Sequence, residues 1–206
     1  MYSFDLPVSP TVLSALAGFS FVSSITPGPN NFMLLASGVN YGFIRAIPHM
    51  LGIGGGFGFL LCCVGFGLGQ LLEVWPPAFT ALKLAGGSYL IYLAWRIAMS
   101  GPVGDVERAG RGRPMKFIEA AAFQWVNPKT WVMAVTSMSL YTNPDAYTAS
   151  VLMVVVVFTA ITVPCVSLWC GMGTGLRQFL SNPARLRLFN WTMALLLIAS
   201  LWPMFR

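Results

Sequence analysis

The chain has 206 residues, 56% of them hydrophobic and 9% charged, with a mean hydropathy of +0.72. A soluble domain carries about 25% charged residues, so a soluble globule is excluded and one membrane domain over 1–206 is expected, all-α and nearly filled by its spans. The formal net charge of +6 falls in short loops between apolar runs, which speaks for membrane topology and lipid headgroups rather than nucleic acid.

Met1 to Leu6 carry no basic segment, so no cleaved signal peptide is expected. The first span is predicted over about 10–39, broken by Thr26-Pro27-Gly28-Pro29-Asn30-Asn31. The second covers about 46–71 and opens on Pro48-His49. A lone histidine without His or Cys neighbours in sequence makes no metal site, so a packed or interfacial role is expected, with a titrating gate as the alternative. In the same span Gly52 and Gly56, Gly54 and Gly58, and Gly65 and Gly69 stand four residues apart, the spacing of close helix packing rather than of a nucleotide loop.

The third span covers about 78–98; Lys83 near its outer end is expected to snorkel. A polar linker, 99–116, separates repeat halves of about 1–98 and 117–206. The fourth span, about 117–140, is broken by Gln124-Trp125-Val126-Asn127-Pro128-Lys129. The fifth covers about 147–174, with Gly171, Gly173 and Gly175 expected to pack like the earlier glycines, and the sixth about 186–205.

Arg45, then Arg96, Arg108, Arg111, Arg113 and Lys116, then Arg177, Arg185 and Arg187 share one set of loops. The opposite loops and ends carry Asp5, Glu73 and Asp145, with Arg206 as their cation. The positive-inside rule therefore puts the linker in the cytoplasm and both termini outside. Three spans on each side of a cytoplasmic linker form a 3+3 arrangement whose halves run in opposite directions, an inverted repeat with broken first and fourth helices.

Proline removes a backbone donor and frees carbonyls. Freed groups survive at membrane depth only where protein or a wet cavity satisfies them, and paired broken helices point to a transport site. The N-terminal end of a half-helix suits a carboxylate, and the carbonyl end of its predecessor suits an ammonium, so an amino-acid zwitterion fits both. The candidate substrate-lining residues are Pro27, Gly28, Pro29, Asn30, Asn31, Gln124, Asn127, Pro128 and Lys129. Lys129 is expected to hold an anionic substrate group; the competing reading is a structural tie to Glu119 or snorkelling. Trp125, Trp131 and Phe32 stand near the breaks, where aromatics serve packing or shape a pocket. No acidic residue sits near the middle of a span, which leaves the coupling ion without a visible carrier and removes the carboxylates that a small-ion exporter needs.

Cys62, Cys63, Cys165 and Cys170 form no Cys-x-x-Cys motif and read as small buried apolar residues. Cys63 and Cys165 nonetheless fall in the second span of each half, so a membrane thiol-redox carrier is the alternative function.

Taken together, Thr26-Pro27-Gly28-Pro29-Asn30-Asn31, the stretch Leu82-Lys83-Leu84-Ala85-Gly86-Gly87-Ser88-Tyr89-Leu90 continuing to Leu93-Ala94-Trp95, the basic linker and Phe123-Gln124-Trp125-Val126-Asn127-Pro128-Lys129 resemble the LysE/RhtB family of bacterial amino-acid exporters over essentially the whole chain. The resemblance implies a multi-pass inner-membrane secondary transporter, not an enzyme, driven by the proton gradient and using no cofactor. Many members carry Asp where this chain has Asn30, so proton coupling through that position is in doubt. The Asn-Asn form resembles the cysteine/O-acetylserine type, and with no buried acid for a cationic substrate it implies export of a small neutral amino acid or derivative such as cysteine, O-acetylserine, threonine or homoserine. The oligomeric state stays open, because glycine faces serve equally within and between protomers.

Overall fold

The computed structural model describes residues 7–68, 76–100 and 113–202. Within them the chain is helical without strands: α1 Pro10–Ile25, α2 Pro29–Tyr41, α3 Phe43–Cys63, α4 Pro76–Ala98, α5 Phe117–Gln124, α6 Pro128–Tyr141, α7 Tyr147–Leu176 and α8 Pro183–Ala199. Local chemistry sets the helix starts. Proline opens α1, α2, α6 and α8, where its missing N–H costs nothing. The side chains of Ser9, Asn127 and Asn182 cap α1, α6 and α8. Between α2 and α3 the chain turns on Gly42 at φ 83°, a conformation that side chains resist.

Phe43–Leu68 and Pro144–Leu176 are long and apolar enough to cross a membrane, and α1 with α2 pass together as one span bent by 55°. The expected first and fourth spans are thus each two helices, and the expected sixth begins earlier, at Pro183. Asp5, Glu73, Gly69, Arg108, Arg111, Arg206 and the side chain of Lys83 lie outside the described residues.

Burial is inverted relative to a soluble protein. Ile44, Ile118 and Leu188 are at least 70% exposed, while Asn40, His49, Gln124 and Asn190 are buried. That is the distribution expected when the surrounding medium is hydrocarbon. α7 packs against α1, α2 and α3, while α3 covers α5 and α4 packs on α8. The glycine pairs of α3 serve two neighbours. A Cβ on Gly52 or Gly56 would strike the α5 backbone, whereas one on Gly54 or Gly58 would strike Val163 or Thr159 of α7. Two residues of offset is about 200° around a helix, which puts the pairs on opposite faces. In α7 only Gly173 packs as expected: its Cβ would lie 2.1 Å from the Leu35 carbonyl, while Gly171 and Gly175 face open space.

The apolar interior forms two main clusters, one including Met33, Ile53, Phe123 and Val166, the other Leu16, Phe57, Ala134 and Phe158. Along α3 and again along α7 the chain passes from one cluster to the other near the middle of the helix. Both chain breaks fall at that level.

Candidate functional site

The first break frees the carbonyls at the end of α1, and side chains take them up. Thr26 returns its own N–H and hydroxyl to the Val22 carbonyl. Asn31 donates to the carbonyls of Ser24 at 2.9 Å and Thr26 at 2.8 Å. Trp169 Nε1 donates to the Ile25 carbonyl at 3.0 Å. Lys129, from the second break, donates its Nζ to the Thr26 carbonyl at 2.7 Å.

The second break is closed in the same way. The Thr130 hydroxyl lies 2.7 Å from the carbonyls of both Gln124 and Asn127. Trp131 Nε1 donates to the Trp125 carbonyl at 2.7 Å, and Asn127 Oδ1 accepts the Lys129 N–H at 3.1 Å. The two breaks are joined a second time by reciprocal amides. Asn30 Nδ2 donates to Gln124 Oε1 at 2.8 Å, and Gln124 Nε2 donates to Asn30 Oδ1 at 3.2 Å.

These contacts surround a cavity of about 30 Å³ between Gly28, Asn30, Asn31, Gln124, Asn127 and Lys129, closed by Ile53 and Phe57 of α3 and Thr162 and Val166 of α7. On the other side of Gly28 and Lys129 is a larger, mainly apolar cavity of about 590 Å³, lined also by Pro27, Pro29 and Pro128. All nine residues singled out in the sequence line one of these two cavities, and Gly28 and Lys129 line both. The Lys129 stem lies so close to Gly28 that a Cβ there would meet Cδ at 3.0 Å and Nζ at 3.2 Å.

The competing tie of Lys129 to Glu119 does not form: the Glu119 carboxylate pairs with the Arg113 guanidinium and accepts the Lys116 N–H at 2.9 Å. Asn31 lines the smaller cavity while its amide serves the carbonyls of its own break. Sequence reasoning missed Ser24 and Thr162, whose hydroxyls pair at 3.0 Å at the cavity edge. Hydroxyls within apolar helices were their only signal. Trp125 and Trp131 pack edge to face, and Phe32 does so with Trp169, while none of these four lines either cavity.

The Asn30–Gln124 pair gives a direct test of what joins the breaks. Asn30→Ala and Gln124→Ala are each expected to destabilise the protein by about 1–3 kcal/mol, because each leaves a partner amide unsatisfied. The double variant should lose clearly less than the sum. Strictly additive shifts of the thermal midpoint in detergent would show that the pair does not act as a unit.

A family model for LysE type translocators matches residues 21–200. The chain belongs to the LysE-type translocator family. It is 33% identical over 144 residues to the cysteine/O-acetylserine efflux proteins of Escherichia coli K12 and Shigella sonnei Ss046, an alignment covering 69% of this chain and 72% of each relative. No solved structure matches the chain. Membership makes this a transmembrane translocator, in keeping with its apolar helices.

Proposed function

We propose that the chain exports small neutral amino acids or close derivatives, of the kind of cysteine, O-acetylserine, threonine or homoserine, across the bacterial inner membrane by alternating access. The observation that carries this reading is the meeting of both chain breaks at one cavity ringed by Asn30, Asn31, Gln124 and Asn127, with the Lys129 ammonium seated on the carbonyl end of α1. That contact is the one a substrate ammonium would make. A zwitterion entering between the breaks takes the Thr26 carbonyl with its ammonium and frees Lys129 to pair with its carboxylate. Asn30 and Gln124 exchange their mutual hydrogen bonds for bonds to the substrate. The cavity of about 30 Å³ has room for one or two waters, so binding requires the two breaks to separate. Among the described residues no acid lines either cavity to receive a cationic side chain, which favours a neutral one. The six-span, 3+3 inverted arrangement with outside termini belongs to this proposal, supported by the two broken helices and the sidedness of the basic loops.

The thiol-redox alternative uses Cys63 and Cys165, which are free thiols on α3 and α7. Efflux from preloaded cells that lack their own exporters, with a panel of labelled amino acids, separates the readings. Release of a small neutral amino acid is expected, and it should persist when all four cysteines are replaced by alanine. No release of any panel member, with the protein shown to be in the membrane, sinks the export reading. Loss of activity in the cysteine-free protein at matched levels would turn the assignment to redox chemistry.

A further inference from the structure

A polar cavity of about 50 Å³ lies further along α2, lined by Ser37, Asn40, His49, Arg96 and Arg113 among others. Asn30 at the break and Asn40 here are ten residues apart on α2, roughly 15 Å along its axis, so this is a separate place from the site between the breaks. Its floor is buried: Ser37 is 7% exposed, Asn40 3% and His49 0%. Its mouth carries cations of the basic linker side. Arg113 is committed to Glu119 and to the Pro114 carbonyl. Among the described residues Arg96 makes one long side-chain hydrogen bond, from Nη2 to the Arg113 carbonyl at 3.4 Å, and its guanidinium stands 6.0 Å from the centre of the Tyr92 ring.

His49 is the group that the rest of the fold leaves unexplained. Its Nδ1 lies 3.4 Å from the Ser37 hydroxyl, while its Nε2 is buried without a hydrogen-bond partner. Buried polar atoms are costly unless satisfied, so an orphan on a residue that lines a polar cavity calls for a ligand or water; with His49 at 0% exposure, the cavity wall must part slightly for the ligand to reach Nε2. When the Ser37 hydroxyl donates to Nδ1, Nε2 carries the proton and becomes a donor. A guanidinium and an N–H donor over a floor of neutral polar groups suit an anion with two acceptor oxygens. An arginine in the last turn of α4 that served topology alone would need no such floor.

We propose that this cavity is a docking subsite for a carboxylate, held by Arg96 and the His49 Nε2–H, where the exported amino acid first attaches on the side of the basic linker. The identity of the ligand as the exported amino acid rests on the export reading; the anion chemistry of the subsite does not. The volume admits a carboxylate head and leaves the rest of the molecule at the mouth. From there α2 leads to the break, with buried Met33 on the wall of this cavity and Ile53 on that of the next.

The chain has 1 histidine, so full-length protein labelled with 15N-histidine in lipid nanodiscs reports this cavity alone. Titration with acetate is expected to move the imidazole signals saturably, and titration with ethylammonium at equal ionic strength is not. Arg96→Gln should weaken the acetate response about tenfold, as loss of one charge-assisted hydrogen bond implies, and Arg96→Lys should restore part of it. Signals unmoved by acetate in the unsubstituted protein overturn the proposal without any variant. An unchanged acetate affinity in Arg96→Gln overturns it too. In the efflux assay Arg96→Gln should raise the half-saturating internal concentration. An acetate response in a protein that exports no amino acid would retire the export reading and keep the anion subsite. Export with His49 indifferent to acetate would do the reverse.

Discussion

Lys129→Ala is expected to cut efflux by about tenfold to a hundredfold while the protein still inserts and folds. The lysine reaches from the start of α6 across to the Thr26 carbonyl at 2.7 Å, and its stem lies against Gly28. A charge at this depth is expensive unless it is used, and Glu119 does not neutralise it, being taken by Arg113. A charge-assisted hydrogen bond contributes about 1.5–3 kcal/mol, so losing it from the transport cycle should slow export by about tenfold to a hundredfold. A tie that merely holds α1 to α6 would also affect stability, and Lys129→Met separates the two. Methionine keeps much of the stem and drops the charge, so export should fall likewise with the thermal midpoint largely kept. Normal efflux from either variant at matched membrane levels would remove Lys129 from the site. A midpoint that falls in step with activity would make it structural.

How far the sequence foretold this site depends on the range of the contact. Pro29 and Pro128 act locally, by removing a donor, and both stand at the first position of a helix that follows a break. The breaks could therefore be read without tertiary information, and so could the membrane class, because composition settles it. The partners could not. Asn30 meets Gln124 and Lys129 meets Thr26 across roughly a hundred residues of chain, and no periodicity encodes which amide faces which. Glu119 shows the same limit: it is the acid nearest Lys129 in sequence and so offered the competing tie, yet Arg113, six residues before it, wins by forming a two-pronged contact. His49 was visible as a lone histidine, but only the fold shows its ring beside Ser37 with Nε2 unsatisfied. The glycines divide likewise. Spacing marked Gly52, Gly54, Gly56 and Gly58 correctly as contact residues, but it could not tell Gly173 from its neighbours, since a helix that is apolar all round gives no clue to which face meets protein.

That difference within α7 supplies the sharpest test of the packing. Gly173→Val should disrupt assembly, whereas Gly171→Ala and Gly175→Ala, on the same helix, should be neutral or slightly stabilising. At Gly173 a Cβ would sit 2.1 Å from the Leu35 carbonyl of α2, and on the facing helix a Cβ at Gly38 would sit 2.2 Å from the Cys170 carbonyl. Each helix thus presses a glycine against the other's backbone, and backbone cannot swing aside as a flexible side chain can. Overpacking commonly costs about 1–3 kcal/mol, and with both contacts on main-chain atoms the upper part of that range is expected, read as a fall in thermal midpoint or in folded yield. At Gly171 and Gly175 nothing lies within 4 Å of the added carbon, and alanine favours a helix by up to about 1 kcal/mol. Equal effects at all three positions would mean that α2 and α7 do not meet as described. The consequence reaches the site, because α2 carries Asn30 and Asn31 and α7 carries Thr162. Widening the contact at Gly173 therefore shifts one wall of the cavity between the breaks relative to another, and whatever Gly173→Val protein reaches the membrane should export poorly even with Lys129 in place.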